Sequence, residues 1–193
     1  MSASFDSLDR LRGFADAAPA AGLADSRDRL EEEVVALFDE FRDPLLRYLA
    51  SFGLAFEDGE EVIQEVFLSL FQHLHRGKAR DNLRGWLFRV AHNLALKRRY
   101  RTLRDLGSRA EAGAEDLARE PGPSPEEQAV NRQTGRRLRA VVQALPEQDR
   151  RCLALRAEGL RYREIAGILD MSLGAVSLSL GRSLARIARA AER

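Results

Sequence analysis

Few residue types in this 193-residue chain could do chemistry, and the arginines dominate them. His73, His75 and His92 lack the spacing and the carboxylate or cysteine company that a metal ion needs, so no metal and no cofactor are expected. Cys152 sits in a helical run with Leu153 and Leu155, which suits a buried thiol better than a nucleophile. A single cysteine excludes an internal disulfide framework and fits a reducing cytoplasm. There is no nucleophile–base pairing and no glycine-rich phosphate loop, so an enzyme is not expected. Charge is what remains. From Arg76 to Arg104 ten basic residues (76, 78, 80, 84, 89, 97, 98, 99, 101 and 104) face one acid, Asp81, a local net charge of +9 in a chain whose total is +1. Such a concentration repels itself unless a polyanion neutralises it, which points to nucleic acid.

The opposite charge lies just upstream. Glu31 to Glu65 carries eleven acids against Arg42 and Arg47, a net of −9. Charge runs are often only solvated helix faces. An acidic front followed by a basic patch also lets one small protein meet two partners of opposite sign. The elements that must position these charges read as helices. Leu30, Val34, Leu37, Phe38, Phe41, Leu45, Leu46 and Leu49 form a stripe at three-and-four spacing, with Pro44 expected to kink or divide it. A second helix is expected to begin at Asp58, capping the first turn with Glu61 placed for a capping box. Its apolar face is Val62, Ile63, Val66, Phe67, Leu70, Phe71 and Leu74. In the third, Leu83, Leu87, Val90, Ala91 and Leu94 turn inward and leave the arginines outward. Trp86 shares that apolar register, so a packing role is expected for it rather than base stacking.

Residues 1–28 read as a poorly ordered extension without a signal-peptide core, and no run approaches the ~18 apolar residues of a membrane span. Residues 29–104 form a first helical domain. Residues 105–132, rich in Glu, Ala and Gly and ending in Pro121, Pro123 and Pro125, read as a linker. Residues 133–193 form a second helical domain, giving an all-α chain of two small domains joined by a flexible linker. Within the second, Tyr162 to Leu169 and the segment after Asp170-Met171-Ser172-Leu173-Gly174 have the pattern of a helix-turn-helix, with Ser172 placed to cap the second helix. The N-terminal residues of that helix, Ala175, Ser177, Leu178 and Ser179, then Arg182 and Arg186, would lie at base edges.

Together the two halves resemble bacterial RNA polymerase sigma factors of the sigma-70 family, in the extracytoplasmic-function group. Asp58-Gly59-Glu60-Glu61-Val62-Ile63-Gln64-Glu65-Val66-Phe67 is similar to the family's acidic helix in region two, Trp86 to Ala95 to its minus-ten segment, and Glu147 to Ile187 to region four. The resemblance covers about residues 30–104 and 137–189. It implies that Asp58, Glu61, Gln64 and Glu65 face the clamp helices of core polymerase, whose flap is a further partner. It implies that Asn93 contacts an extruded base, that Arg76, Lys78, Arg80 and Arg84 cradle the displaced strand, and that Arg89, Lys97, Arg98 and Arg99 meet DNA at the minus-ten element. The minus-thirty-five element would fall to Arg163, Ser177, Ser179, Arg182 and Arg186. The helix-turn-helix departs from the family at Leu178 and Gly181, where basic residues are usual. The resemblance further implies promoter DNA and an anti-sigma protein as partners and no membrane insertion. The alternative is a stand-alone dimeric helix-turn-helix regulator, which needs no polymerase to find its site.

Overall fold

The computed structural model describes residues 19–106 and 135–191, all of whose regular elements are helices. They are α1 (Pro19–Ala50), α2 (Phe56–His75), α3 (Leu83–Leu106), α4 (residues 135–143), α5 (Glu147–Ala157), α6 (Tyr162–Leu169) and α7 (Leu173–Ala191). The expected all-α, two-domain architecture is the one observed. Most of the expected linker lies outside the described residues. So do residues 1–18 of the expected N-terminal extension, whereas helix begins already at Pro19.

α1 does not divide at Pro44. It runs on to Ala50, forgoing the one backbone bond that proline cannot donate. The buried residues just beyond the proline offset that loss, because Leu45, Tyr48 and Leu49 lie at the centre of the first domain. Against them pack Ile63, Val66 and Leu70 of α2, with Leu87, Phe88, Ala91 and Ala95 of α3. The Tyr48 ring meets Phe52 and Phe88 edge-on at 5.4 and 5.6 Å. α2 begins at Phe56 after an extended Ala55 and has no side-chain cap, so Asp58 sits inside the first turn instead of preceding it. Its carboxylate still lies at the positive end of the helix, where negative charge is favoured. α3 is capped by Asn82, whose Oδ1 accepts the Gly85 amide at 3.0 Å. A Cβ at 85 would lie 2.5 Å from the Asn82 side-chain amide, so any larger residue there must displace this cap.

The second domain closes over Cys152, Leu155, Leu160, Ile165, Val176 and Leu180. α6 ends at Asp170 in the left-handed conformation (φ 52°), and the axis turns by 102° into α7. That angle is the one a helix-turn-helix requires. Ser172 Oγ accepts the Ala175 amide at 3.1 Å, the cap expected from the sequence. Cys152 is buried against the Val176 carbonyl. The two domains touch: buried apolar side chains of both belong to one continuous cluster, joined where α5 and α6 meet α1 and α3.

Candidate functional site

α2 turns Val62, Ile63, Val66 and Phe67 inward, which leaves Glu61, Gln64, Glu65 and Leu68 on one outward face. Three of the four residues expected to meet a basic protein surface are therefore accessible. Asp58 is only partly so, because the Arg98 guanidinium bonds its carboxylate at 2.6 and 3.0 Å and reaches Glu61 at 2.5 Å. The Asp58 bond, aided by Glu61, raises the arginine's pKa further. Arg98 was expected on phosphate. It instead links the far end of α3 to the start of α2.

Along α3 the exposed residues Arg89, Asn93, Lys97, Tyr100, Arg101 and Arg104 run down one side, with Leu96 beside them. Asn93 is exposed, as a base contact must be. Tyr100 is 73% exposed, and sequence reasoning passed over it. Its position seven residues after Asn93, in the basic run Lys97–Arg101, was the available signal, since an aromatic among cations on one face is what stacked single-stranded bases need. Arg76 and Lys78 lie exposed in the loop before α3, while Arg80 bonds Glu33 of α1 at 2.5 Å. Trp86 packs into the domain with its ring 4.7 Å from His73, in keeping with a packing role.

Three arginines of α3 point toward the second domain. Arg84 donates to the Glu158 carbonyl, the Arg89 guanidinium lies against Gly167, and Arg99 pairs with Glu147. The Arg99 bond, with Arg151 nearby, holds the Glu147 carboxyl below its ordinary pKa.

On α7 the faces are sharply divided. Val176, Ser179, Leu180 and Ser183 are buried. Ser179, expected to read bases, instead donates to Asp149 Oδ1 at 2.7 Å, and Arg182 reaches the same oxygen at 3.1 Å. Burial opposes the Asp149 charge, but these two donors and Arg186 outweigh it and hold its pKa below the usual value. Ser179 cannot reach a groove without unwinding this contact. Ser177, Arg163 and Arg186 are exposed, and half of the Arg182 side chain is. The outermost line of α7 is Gly174, Leu178, Gly181 and Ala185, with Leu178 61% exposed and open space at both glycines. Among the described residues no cluster of His, Cys, Asp or Glu could hold a metal ion. No single described helix is long and apolar enough to cross a membrane.

Residues 37–105 match the Sigma-70 region 2 family and residues 135–187 match Sigma-70, region 4. The chain is 33% identical over 130 residues to a probable RNA polymerase sigma factor, RfaY, of Xanthomonas campestris, covering 66% of this chain and 32% of that protein. It is 34% identical over 131 residues to the ECF RNA polymerase sigma factor SigE of Mycolicibacterium smegmatis, covering 65% and 48%. It thus spans about a third and about half of these relatives' lengths. Its fold is similar to that of the sigma factor RpoE of Bartonella quintana, solved in complex with the anti-sigma factor NepR. That likeness has a TM-score of 0.63 at 17% identity and covers 84% of this chain and 96% of that one.

Proposed function

Because this chain belongs to the sigma-70 family of RNA polymerase sigma factors, in its extracytoplasmic-function group, we propose that it binds core polymerase and directs it to a subset of promoters. One observation carries the reading: the two sigma regions occur in order, and the first presents an acidic face on α2 and a basic face on α3. In this reading Glu61, Gln64 and Glu65 meet the basic clamp helices of the largest subunit, with the flap as a further contact. Asn93 and Tyr100 take bases of the separated minus-ten strand, one by hydrogen bond and one by stacking. Lys97, Arg101 and the loop cations Arg76 and Lys78 neutralise its phosphates, each lost contact lowering the salt slope by about one unit. Upstream, α7 lies in the major groove with Ser177 and Leu178 at base edges, flanked by Arg163, Arg182 and Arg186. Unpairing costs energy, and captured bases and backbone contacts offset it. The protein itself makes and breaks no covalent bond. An anti-sigma protein is the proposed negative partner.

Run-off transcription on genomic fragments with purified core enzyme tests this. Discrete transcripts that require both components are expected. Tight binding to a palindromic duplex as a symmetric dimer, with no response to polymerase, would replace this reading with that of a stand-alone regulator.

A further inference from the structure

We infer that Leu178 reads a methyl group: in the major groove its side chain seats against the C5-methyl of a thymine, so apolar contact helps to select the upstream element. The inference rests on the reading of α7 given above and adds the chemistry by which one of its residues chooses a base.

Leu178 is 61% exposed, more than Leu173 or Leu184 on the same helix. One turn before it on the outward line stands Gly174, and one turn after it Gly181, so the isobutyl group projects alone. Glycine weakens a helix, and packing requires it at neither position, because a Cβ at each would meet nothing within 4 Å. The effect of these two residues lies outside the protein. With no side chain before or after the leucine on this line, the backbone of α7 can approach a surface until Leu178 itself makes contact.

The polar groups nearest to it are held elsewhere. Ser179, next in sequence, is fully buried and donates to Asp149 Oδ1 at 2.7 Å, and Arg182, one turn on, reaches the same oxygen at 3.1 Å. Ser177 is exposed on the flank, with a hydroxyl able to donate or accept. Guanine is read best by a bidentate arginine and adenine by asparagine or glutamine. The line of Gly174, Leu178, Gly181 and Ala185 offers neither. Among the features that base edges display in the major groove, only the thymine methyl is apolar. A leucine, which can neither donate nor accept, matches that group alone.

The surroundings fit DNA better than an apolar protein surface. α7 carries Arg182, Arg186 and Arg189 and no acid, and Arg163 stands exposed on α6. Phosphates along the groove answer these charges, whereas an apolar partner would leave them unmatched.

The test changes one methyl group and leaves everything else in place. Holoenzyme assembled from this chain and core polymerase is bound to a promoter fragment recovered in the run-off assay, and binding is followed by fluorescence anisotropy. In matched fragments uracil replaces thymine, one position at a time in either strand, upstream of the minus-ten element. Uracil pairs as thymine does and lacks only the methyl. At one position the wild type should bind the uracil fragment about fourfold more weakly, the worth of one buried methyl. L178A should bind both fragments alike, with a melting temperature close to that of wild type because the side chain it shortens is exposed. Cytosine at the same position should bind more weakly still, and 5-methylcytosine should recover part of the loss in wild type but not in L178A.

Equal binding of thymine and uracil fragments by wild type at every upstream position overturns the inference, and needs no variant to do so. Discrimination that survives in L178A overturns it too, assigning the contact to another residue. If L178A weakens assembly with core polymerase and leaves the methyl effect untouched, the leucine docks on protein, and the inference falls while the functional reading stands. If the holoenzyme yields no promoter-specific transcript, the reading fails and the inference with it.

Discussion

His92 should make this protein lose stability in mild acid, starting before most carboxylates titrate. The ring is buried beside Asn93, on the inner side of α3. Its Nδ1 lies 2.7 Å from the Tyr48 hydroxyl, and the Tyr48 and Phe52 rings pack against it at 6.4 and 5.5 Å. Burial keeps Tyr48 in its neutral form, so its hydroxyl and the neutral imidazole share one hydrogen bond whose direction follows the ring's tautomer. Burial first, and then the positive charge of Arg151 from α5, push the His92 pKa from 6.5 down to about 4. Between these two values the unfolded chain binds a proton that the folded one refuses, so stability rises with pH across that window and falls on acidification. At about 1.36 kcal/mol per unit, the whole effect is roughly 3 kcal/mol, with about 1.3 kcal/mol already lost between pH 7.5 and 5.5. Urea unfolding followed by far-ultraviolet circular dichroism at those two pH values measures it. The variant His92→Gln keeps an acceptor for Tyr48 and removes the titration, so its stability should change far less over the same interval. Equal pH slopes in the two proteins would refute the assignment of the effect to this ring.

Other outcomes follow from individual contacts. Ser172→Ala removes the cap of α7 and should cost about 1 kcal/mol in thermal or urea unfolding, without changing the helix content of the first domain. Reversing charge in E61K/E65K should weaken binding to core polymerase by an order of magnitude or more while leaving the melting temperature within a few degrees; unchanged affinity would count against the α2 interface. Asn93→Ala and Tyr100→Ala should each impair open-complex formation, read by permanganate reactivity of unpaired thymines, more than they impair assembly with core polymerase.

The parts of the fold that repeat were legible in the sequence. Apolar stripes placed α1, α2 and α3, and the cap at Ser172 together with the polar break at Asp170 placed the helix-turn-helix. Local rules misled where distant packing decided the outcome. Pro44 suggested a break, but Leu45, Tyr48 and Leu49 gain more by continuing the helix into the core than one missing backbone bond costs. Asp58 looked like a cap because serine, threonine and acidic residues often are. Its partner proved to be Arg98, forty residues away, and no local pattern encodes such a pairing. Ser179 failed for the same reason. A serine near the start of a recognition helix reads equally well as facing a base or a buried carboxylate, and only the position of Asp149 on α5 decides.

That carboxylate has a consequence for how the protein can change. By gripping Ser179 and Arg182 from behind, Asp149 sets the rotation of α7 about its own axis, independently of the residues at its crown. Gly174, Leu178, Gly181 and Ala185 are consequently free to vary without disturbing the pose of the helix. Alanine at either glycine should even gain roughly 0.5–1 kcal/mol of helix stability, because a Cβ there meets empty space. The mount and the outward crown are separate parts, so in the proposed reading upstream sequence preference can drift, or be engineered, at almost no cost to folding.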